Sequence, residues 1–356
     1  MNKLYSILIM ALLVLSVAPA VLAVSVGSGV SLDITTEDFE PIVWLCDNRV
    51  VYDDATEPGR MSGDGELLTE RLNNYAFEGE QISWKVLVMD KNGINKVEDV
   101  FATIGSAQGA GNDIEVNCRE DLTTRGILPS CNARILEEQI TTFNSAVMRY
   151  YNCVLTVETT DSMYGEYWIT VEATDLSGLS GTMDENEYWF LNPVIALSID
   201  GEMSFDNVRP GTSAYSSTIL VGNDADAGSA VLMDMFVSGT DFYDSTSSGA
   251  MCPTTNQLSL GQFSYYTVNG AYSTNTDPRA DTEGYVGIDY GIGFNNPNPF
   301  YDDSEILQAD EKIGNYYAAN VLAPGAEMAV TFRLNMPEPC NGNFDTGSIY
   351  FWGEAI

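Results

Sequence analysis

Residues 164–193 read YGEYWITVEATDLSGLSGTMDENEYWFLNP, and the period of this stretch decides the fold. Tyr167, Ile169, Val171 and Ala173 fall on one face of an extended chain, with Thr170, Glu172 and Thr174 on the other. That two-residue period belongs to a half-buried β-strand, since an α-helix would repeat every 3.6 residues. Trp168 shares the second face, so that face is expected to be partly covered. Asp175 to Gly178, Asp-Leu-Ser-Gly, supplies turn chemistry, and a further strand is expected from Glu187 to Leu191 before an Asn-Pro stop. The stretch therefore reads as a closing strand pair and a domain boundary together.

Working outward, Ile82, Trp84, Val86 and Val88 alternate with Gln81, Ser83, Lys85 and Leu87 and run into the turn Asp90-Lys-Asn-Gly93. A tryptophan on an early strand suits the core of a sandwich. Strands are also expected at 97–104 and around Cys153, Leu155 and Val157. Between them, Leu136, Ile140, Phe143 and Val147 have helical spacing, but Thr141, Thr142 and Asn144 disfavour a long helix, so irregular chain or one short helix is expected. Downstream, Val231, Met233, Met235 and Val237 form one strand face. Met328, Val330, Phe332, Leu334 and Met336 form another, alternating with Ala329, Thr331, Arg333 and Asn335. The ending NGNFDTGSIYFWGEAI reads as a final strand.

These segments give an all-β expectation: two tandem immunoglobulin-like β-sandwich domains, 24–193 with a cysteine-containing insertion and 194–356, after a signal peptide at 1–23. Met1 to Ala23 carries one lysine, an apolar run and a small-residue Val-Leu-Ala end, the pattern of a secretory leader. The competing reading is an uncleaved anchor, because 4–24 is just long enough to cross a bilayer. Cleavage leaves 356 − 23 = 333 residues, with no further span of that apolar length. An extracellular or cell-surface location follows.

The strand-turn segments GEQISWKVLVMDKNGI (79–94) and YWITVEATDLSGLSG (167–181) resemble signatures found in immunoglobulin-like and cadherin-like modules of secreted prokaryotic, archaeal-type surface proteins. The resemblance covers about a third of the first domain. It implies a sandwich fold and a cell-surface setting, and a fold by itself does not name an activity.

All six cysteines lie after the leader, Cys46, Cys118, Cys131 and Cys153 before the boundary and Cys252 and Cys340 beyond it. Even counts on both sides suggest disulfides within each domain. Cys252 with Cys340 is then fixed, whereas the first four allow three pairings. Zinc is disfavoured because the chain has no CxxC spacing and no histidine.

The chain carries 51 acidic and 15 basic residues, a net charge of −36. Up to Val194 there are 30 acids and 11 bases, and beyond it 21 and 4. Nucleic acid is excluded as an expected partner, because phosphate binding needs clustered lysine and arginine. Without histidine there is no Ser-His-Asp or Cys-His mechanism. Phe344-Asp-Thr-Gly-Ser348 copies an aspartic-protease motif, but those enzymes use two such aspartates, and no second Asp-Thr-Gly or Asp-Ser-Gly occurs. No enzymatic activity is expected, a pair of carboxylates acting on a glycoside being the remaining catalytic reading.

Calcium is the one cofactor the loops would suit. Oxygen ligands gather at Asp90, Asn92 and Glu98, in the loop 47–66 with Asp53, Asp54 and Asp64, and at Asp224 and Asp226, although the same residues are good turn formers. Tyr265, Tyr266 and Tyr272, within a tyrosine-rich second domain, are the candidates for stacking on sugar rings. The expected role is a non-enzymatic structural protein of an envelope layer, matrix or fibre; the alternative is a carbohydrate-binding or adhesion module. Expected partners are further copies of the chain, other surface proteins or glycans. Residues 24–35 either pair within their own domain or add as a strand to a neighbouring copy.

Overall fold

In the computed structural model the described residues are 32–53, 68–71, 74–109, 112, 114–134, 140–183, 188–246, 249–291, 304–309, 312–313 and 316–356. Secondary structure among them is almost entirely strand. The first ten strands are β1 (Ile42–Asp53), β2 (Leu68–Arg71), β3 (Tyr75–Ala76), β4 (Gln81–Met89), β5 (Val97–Gly105), β6 (Ile114–Asp121), β7 (Met148–Thr156), β8 (Gly165–Asp175), β9 (Ser180–Met183) and β10 (Tyr188–Leu191). They form one hydrogen-bonded path, β2-β1-β4-β7-β6-β5-β8-β10-β3, with β9 also on β8.

That path folds back on itself at β6. Ile114 to Asn117 pair with β5, while Cys118 to Asp121 pair with β7, so one strand serves two layers. The alternating apolar residues meet between those layers: Ile82, Trp84, Val86 and Val88 from β4 against Val100, Ala102 and Ile104 from β5 and Ile169, Val171 and Ala173 from β8. At the other margin, a Cβ at Gly181 of β9 would overlap the Pro41 carbonyl just before β1. Only glycine permits that approach.

The closing pair is present, since Tyr188 to Leu191 of β10 run antiparallel to Gly165 to Trp168 of β8. The hairpin strand β9, opposite Val171 to Thr174, was not anticipated. Thr170 is buried as well, so the second face of β8 is covered along part of its length. Of the region with helical spacing, 136–139 lie outside the described residues and 140–147 are irregular, as expected; the one short helix, α1 (Pro129–Arg134), lies just before it. Ile140 joins Trp44, Leu87, Met89, Met148 and Tyr150 in a small second cluster with Cys131 of that helix. Val147 precedes β7, which begins at Met148.

The remaining strands are β11 (Leu197–Asp200), β12 (Ser213–Asn223), β13 (Met233–Gly239), β14 (Phe242–Asp244), β15 (Gln257–Leu258), β16 (Phe263–Asn269), β17 (Tyr272–Ser273), β18 (Val286–Gly287), β19 (Asp289–Tyr290), β20 (Lys312–Ile313), β21 (Tyr316–Tyr317), β22 (Val321–Leu322), β23 (Glu327–Asn335), β24 (Phe344–Thr346) and β25 (Ile349–Ala355). One sheet runs β11-β12-β23-β16-β17 with β18 on β16; a second carries β19, β22 and β25 around β13. Met328, Val330, Phe332 and Leu334 of β23 pack with Val231 and with Met233, Met235 and Val237 of β13. Among the described residues no strand before Pro193 pairs with one after it, but Tyr75 and Phe190 belong to this later core. Tyr75 also donates its hydroxyl to the carbonyl of Ile356 at 2.5 Å. Residues 39–356 form one compact unit.

The leader and most of 24–35 lie outside the described residues. Residues 32–38 carry no strand, and no helix among the described residues is long and apolar enough to cross a membrane.

Candidate functional site

The alternation that buries one side of β23 sends Thr331 and Arg333 to its other side. Register sets their neighbours: Tyr215 of β12 and Ser264 of β16 flank Arg333, and Thr218 and Tyr266 flank Thr331. Tyr285, just before β18, lies over this patch, its ring 6.0 Å from Tyr215 and 5.7 Å from Tyr266. The Arg333 guanidinium sits 4.2 Å from the Tyr285 ring centre, an attractive cation–π placement. Arg333 also donates to Ser264 Oγ at 3.1 Å, Glu283 Oε2 at 2.7 Å and Asp281 Oδ2. It is the organising residue of the face.

Asp281 in turn accepts the amides of Glu283 and Tyr285 and so fixes the loop that carries the ring. Burial opposes its ionisation, but the Arg333 bond and those amides outweigh burial and hold its carboxyl below the usual range. Asn275 donates to the Tyr266 hydroxyl at 2.9 Å, orienting the third ring. Three tyrosines of fixed orientation, bordered by amide and carboxylate groups, make an amphipathic surface that can stack on a flat apolar face and hydrogen-bond at its rim.

Of the three tyrosines singled out from sequence, only Tyr266 belongs to this face. Tyr265 is 1 % exposed, packs near Phe332 and donates its hydroxyl to the Ile306 carbonyl at 2.9 Å. Because the side chains of β16 alternate, its neighbour Tyr266 points the other way; Tyr265 is core and cannot stack on a sugar. Tyr272 is exposed on the edge strand β17. Tyr215 and Arg333 were missed; for Arg333 the available signal was its place on the outward side of the alternating strand β23.

The acidic loops are occupied in different ways. Asp226 accepts the Val194 amide at 2.8 Å and the Tyr164 hydroxyl at 3.0 Å, a latch between segments on either side of Pro193. Asp224 donates its amide to Ala196 and leaves its side chain exposed. Glu98 is an exposed residue at the bulge between Val97 and Asp99, and Asn92 Oδ1 accepts the Phe39 amide at 2.6 Å. Asp90 alone of that trio is fully buried. Asp54 and Asp64 lie outside the described residues, as does the Asp53 side chain. Asp345 of the protease-like motif accepts both the amide and the hydroxyl of Ser245, holding β24 beside β14.

The six cysteines form three bonds, Cys46–Cys131, Cys118–Cys153 and Cys252–Cys340. The first ties α1 to β1, and the second spans a directly opposed pair on β6 and β7.

No family model matches the chain, and no curated protein matches it. Among solved structures it is similar to the C-terminal domain of the AgI/II polypeptide BspA from Streptococcus agalactiae, at 10% identity and a TM-score of 0.32, covering 89% of this chain and 96% of that one. A second structure of that domain, BspA_C_WT, gives 11% identity and a TM-score of 0.31 over 86% and 96%. The secreted serine protease VesC from Vibrio cholerae gives 7% and 0.18 over 79% and 49%. Superpositions at this level do not establish a shared fold or role.

Proposed function

We propose that this chain is an exported, non-enzymatic protein of the cell surface, built as two tandem immunoglobulin-like sandwiches divided near Pro193 and acting as a structural subunit of an envelope layer, matrix or fibre. The observation that carries this reading is the pairing of all six cysteines within the chain. Structural disulfides of that density persist in oxidising compartments and would be reduced in a cytosol. The leader-like start and the acidic surface agree with it. The partners are further copies of the chain: Leu32 and Ile34 are 76 % and 79 % exposed at alternate positions, and the edge strand β11 exposes Ile199. Unpaired apolar segments and open edges of this kind favour strand addition between molecules. Negative-stain microscopy of the purified mature chain is the test; arrays or filaments that disappear on deletion of 24–35 support the reading, and dispersed particles under all conditions reject it.

The face of Tyr215, Tyr266, Tyr285 and Arg333 favours a second reading, adhesion to glycans. Binding on a glycan array that is lost in Tyr285→Ala, without turnover of the glycan, would select it over the first.

A further inference from the structure

We infer that the turns following β4 and β8 together form a calcium site in which Asp90 and Asp175 are the carboxylate ligands. Asp90 follows directly on β4 and Asp175 ends β8, and each opens a turn. Asp90 Oδ1 accepts the Asn92 amide at 2.7 Å, and Asp175 Oδ1 accepts the amides of Ser177 and Leu179 at 2.9 and 2.7 Å. The two turns touch, because the Leu176 amide donates to the Lys96 carbonyl and Asp175 stands opposite Val97 at the start of β5.

Both side chains are almost completely buried, Asp90 at 0 % exposure and Asp175 at 3 %, and Asp90 Oδ2 has no hydrogen-bond partner. An oxygen in that condition costs free energy unless a cation or a proton takes it. Lys96 is the competing counter-charge. Its side chain is exposed, however, and among the described residues it makes no ion pair with either acid.

A divalent cation would balance the two buried carboxylates and satisfy the lone oxygen at once. Calcium fits best, since it accepts irregular shells of carboxylates, main-chain carbonyls and water. Asn92 and Glu98, the other two residues nominated with Asp90 from sequence, are not in the proposed shell, because Asn92 Oδ1 is engaged by Phe39 and Glu98 faces solvent. Asp175 replaces them.

The test is calorimetric titration of calcium into the EGTA-stripped full mature chain, in excess magnesium to suppress binding to the acidic surface, with melting followed in parallel. The expected result is one calcium per chain and a melting temperature raised by several degrees. Affinity should fall at least roughly tenfold in Asp90→Asn and in Asp175→Asn and stay unchanged in Asp224→Asn. Terbium luminescence of the wild-type chain, quenched by calcium, gives a readout that does not depend on the variants folding. Absence of a saturable calcium site in wild type overturns the proposal. So does binding that both variants retain, or calcium indifference joined to a more stable Asp90→Asn, which would mark a buried protonated acid. If Lys96→Met destabilises the protein and no calcium binds, the lysine is the counter-charge and the site does not exist.

Discussion

Cys118 stands directly opposite Cys153 on the β6–β7 ladder, and the two are joined by a disulfide. The bond fastens β6 to β7 at the residue after Asn117, where its pairing with β5 ends. It therefore pins the strand that passes between layers, and closes a loop of 35 residues. Replacing both cysteines by alanine is expected to lower stability by roughly 3–4 kcal/mol, measured by denaturant unfolding. A loss under about 1 kcal/mol would show that packing alone holds β6 in place.

Gly181 should be intolerant of any side chain. The alanine methyl in Gly181→Ala would meet the Pro41 main chain, which has no flexible end to move aside. Overpacking of this kind costs about 1–3 kcal/mol. Gly126, with open space around its Cβ position, is the control. Equal midpoints for Gly181→Ala and Gly126→Ala would contradict the close approach of β9 to the start of β1.

Tyr265 and Tyr266 are neighbours in sequence on opposite sides of one sheet. Tyr265→Ala should destabilise by about 3–5 kcal/mol, as for other large core truncations, whereas Tyr266→Ala should cost much less and act on ligand binding instead. Paired thermal melts and glycan-binding curves separate them. A reversal of the two effects would place the faces of β16 the wrong way round.

Stability should be highest in mildly acidic solution. Asp234 is buried beside Asn320, and burial pushes its carboxyl up to about 7, with Glu354 adding to the rise and the Asn320 hydrogen bond opposing it. Between about pH 4 and 7 the folded chain holds a proton that the unfolded chain has released, so stability falls as pH rises through that window. Asp121 and Asp277 have the opposite sign. Burial works against their ionisation, but Lys85 and the Thr123 and Thr124 donors, and Arg279 respectively, hold both carboxyls low. Their contribution is present above about pH 4 and is lost as pH falls through their folded values. Unfolding midpoints are expected to peak near about pH 4–5. Asp234→Asn should flatten the decline toward neutrality; an unchanged slope in that variant would rule out Asp234 as its source.

What the sequence made legible was whatever depends on the period of side chains. Ile82, Trp84, Val86 and Val88, and Met328 through Leu334, bury the residues that their alternation marks. β9 escaped notice because Ser180 to Met183 lacks an apolar face and owes its place to the turn after Asp175. Tyr265 was misplaced for a different reason: a run of two tyrosines does not say which one faces inward until β23 fixes the register. Arg333 could be seen as outward, but its partners Asp281, Glu283 and Tyr285 lie about 50 positions away and meet it only through pairing of β16 with β18 and β23. The disulfide pattern of the first four cysteines is likewise a matter of tertiary structure.

The most direct measurement is non-reducing peptide mapping of the chain recovered from the cells that make it, after separating envelope and medium from cytoplasm. The account predicts that the chain is found in the envelope or medium, starts near Val24, and yields the linked peptides Cys46–Cys131, Cys118–Cys153 and Cys252–Cys340. A cytoplasmic chain with an intact start and free thiols would contradict it.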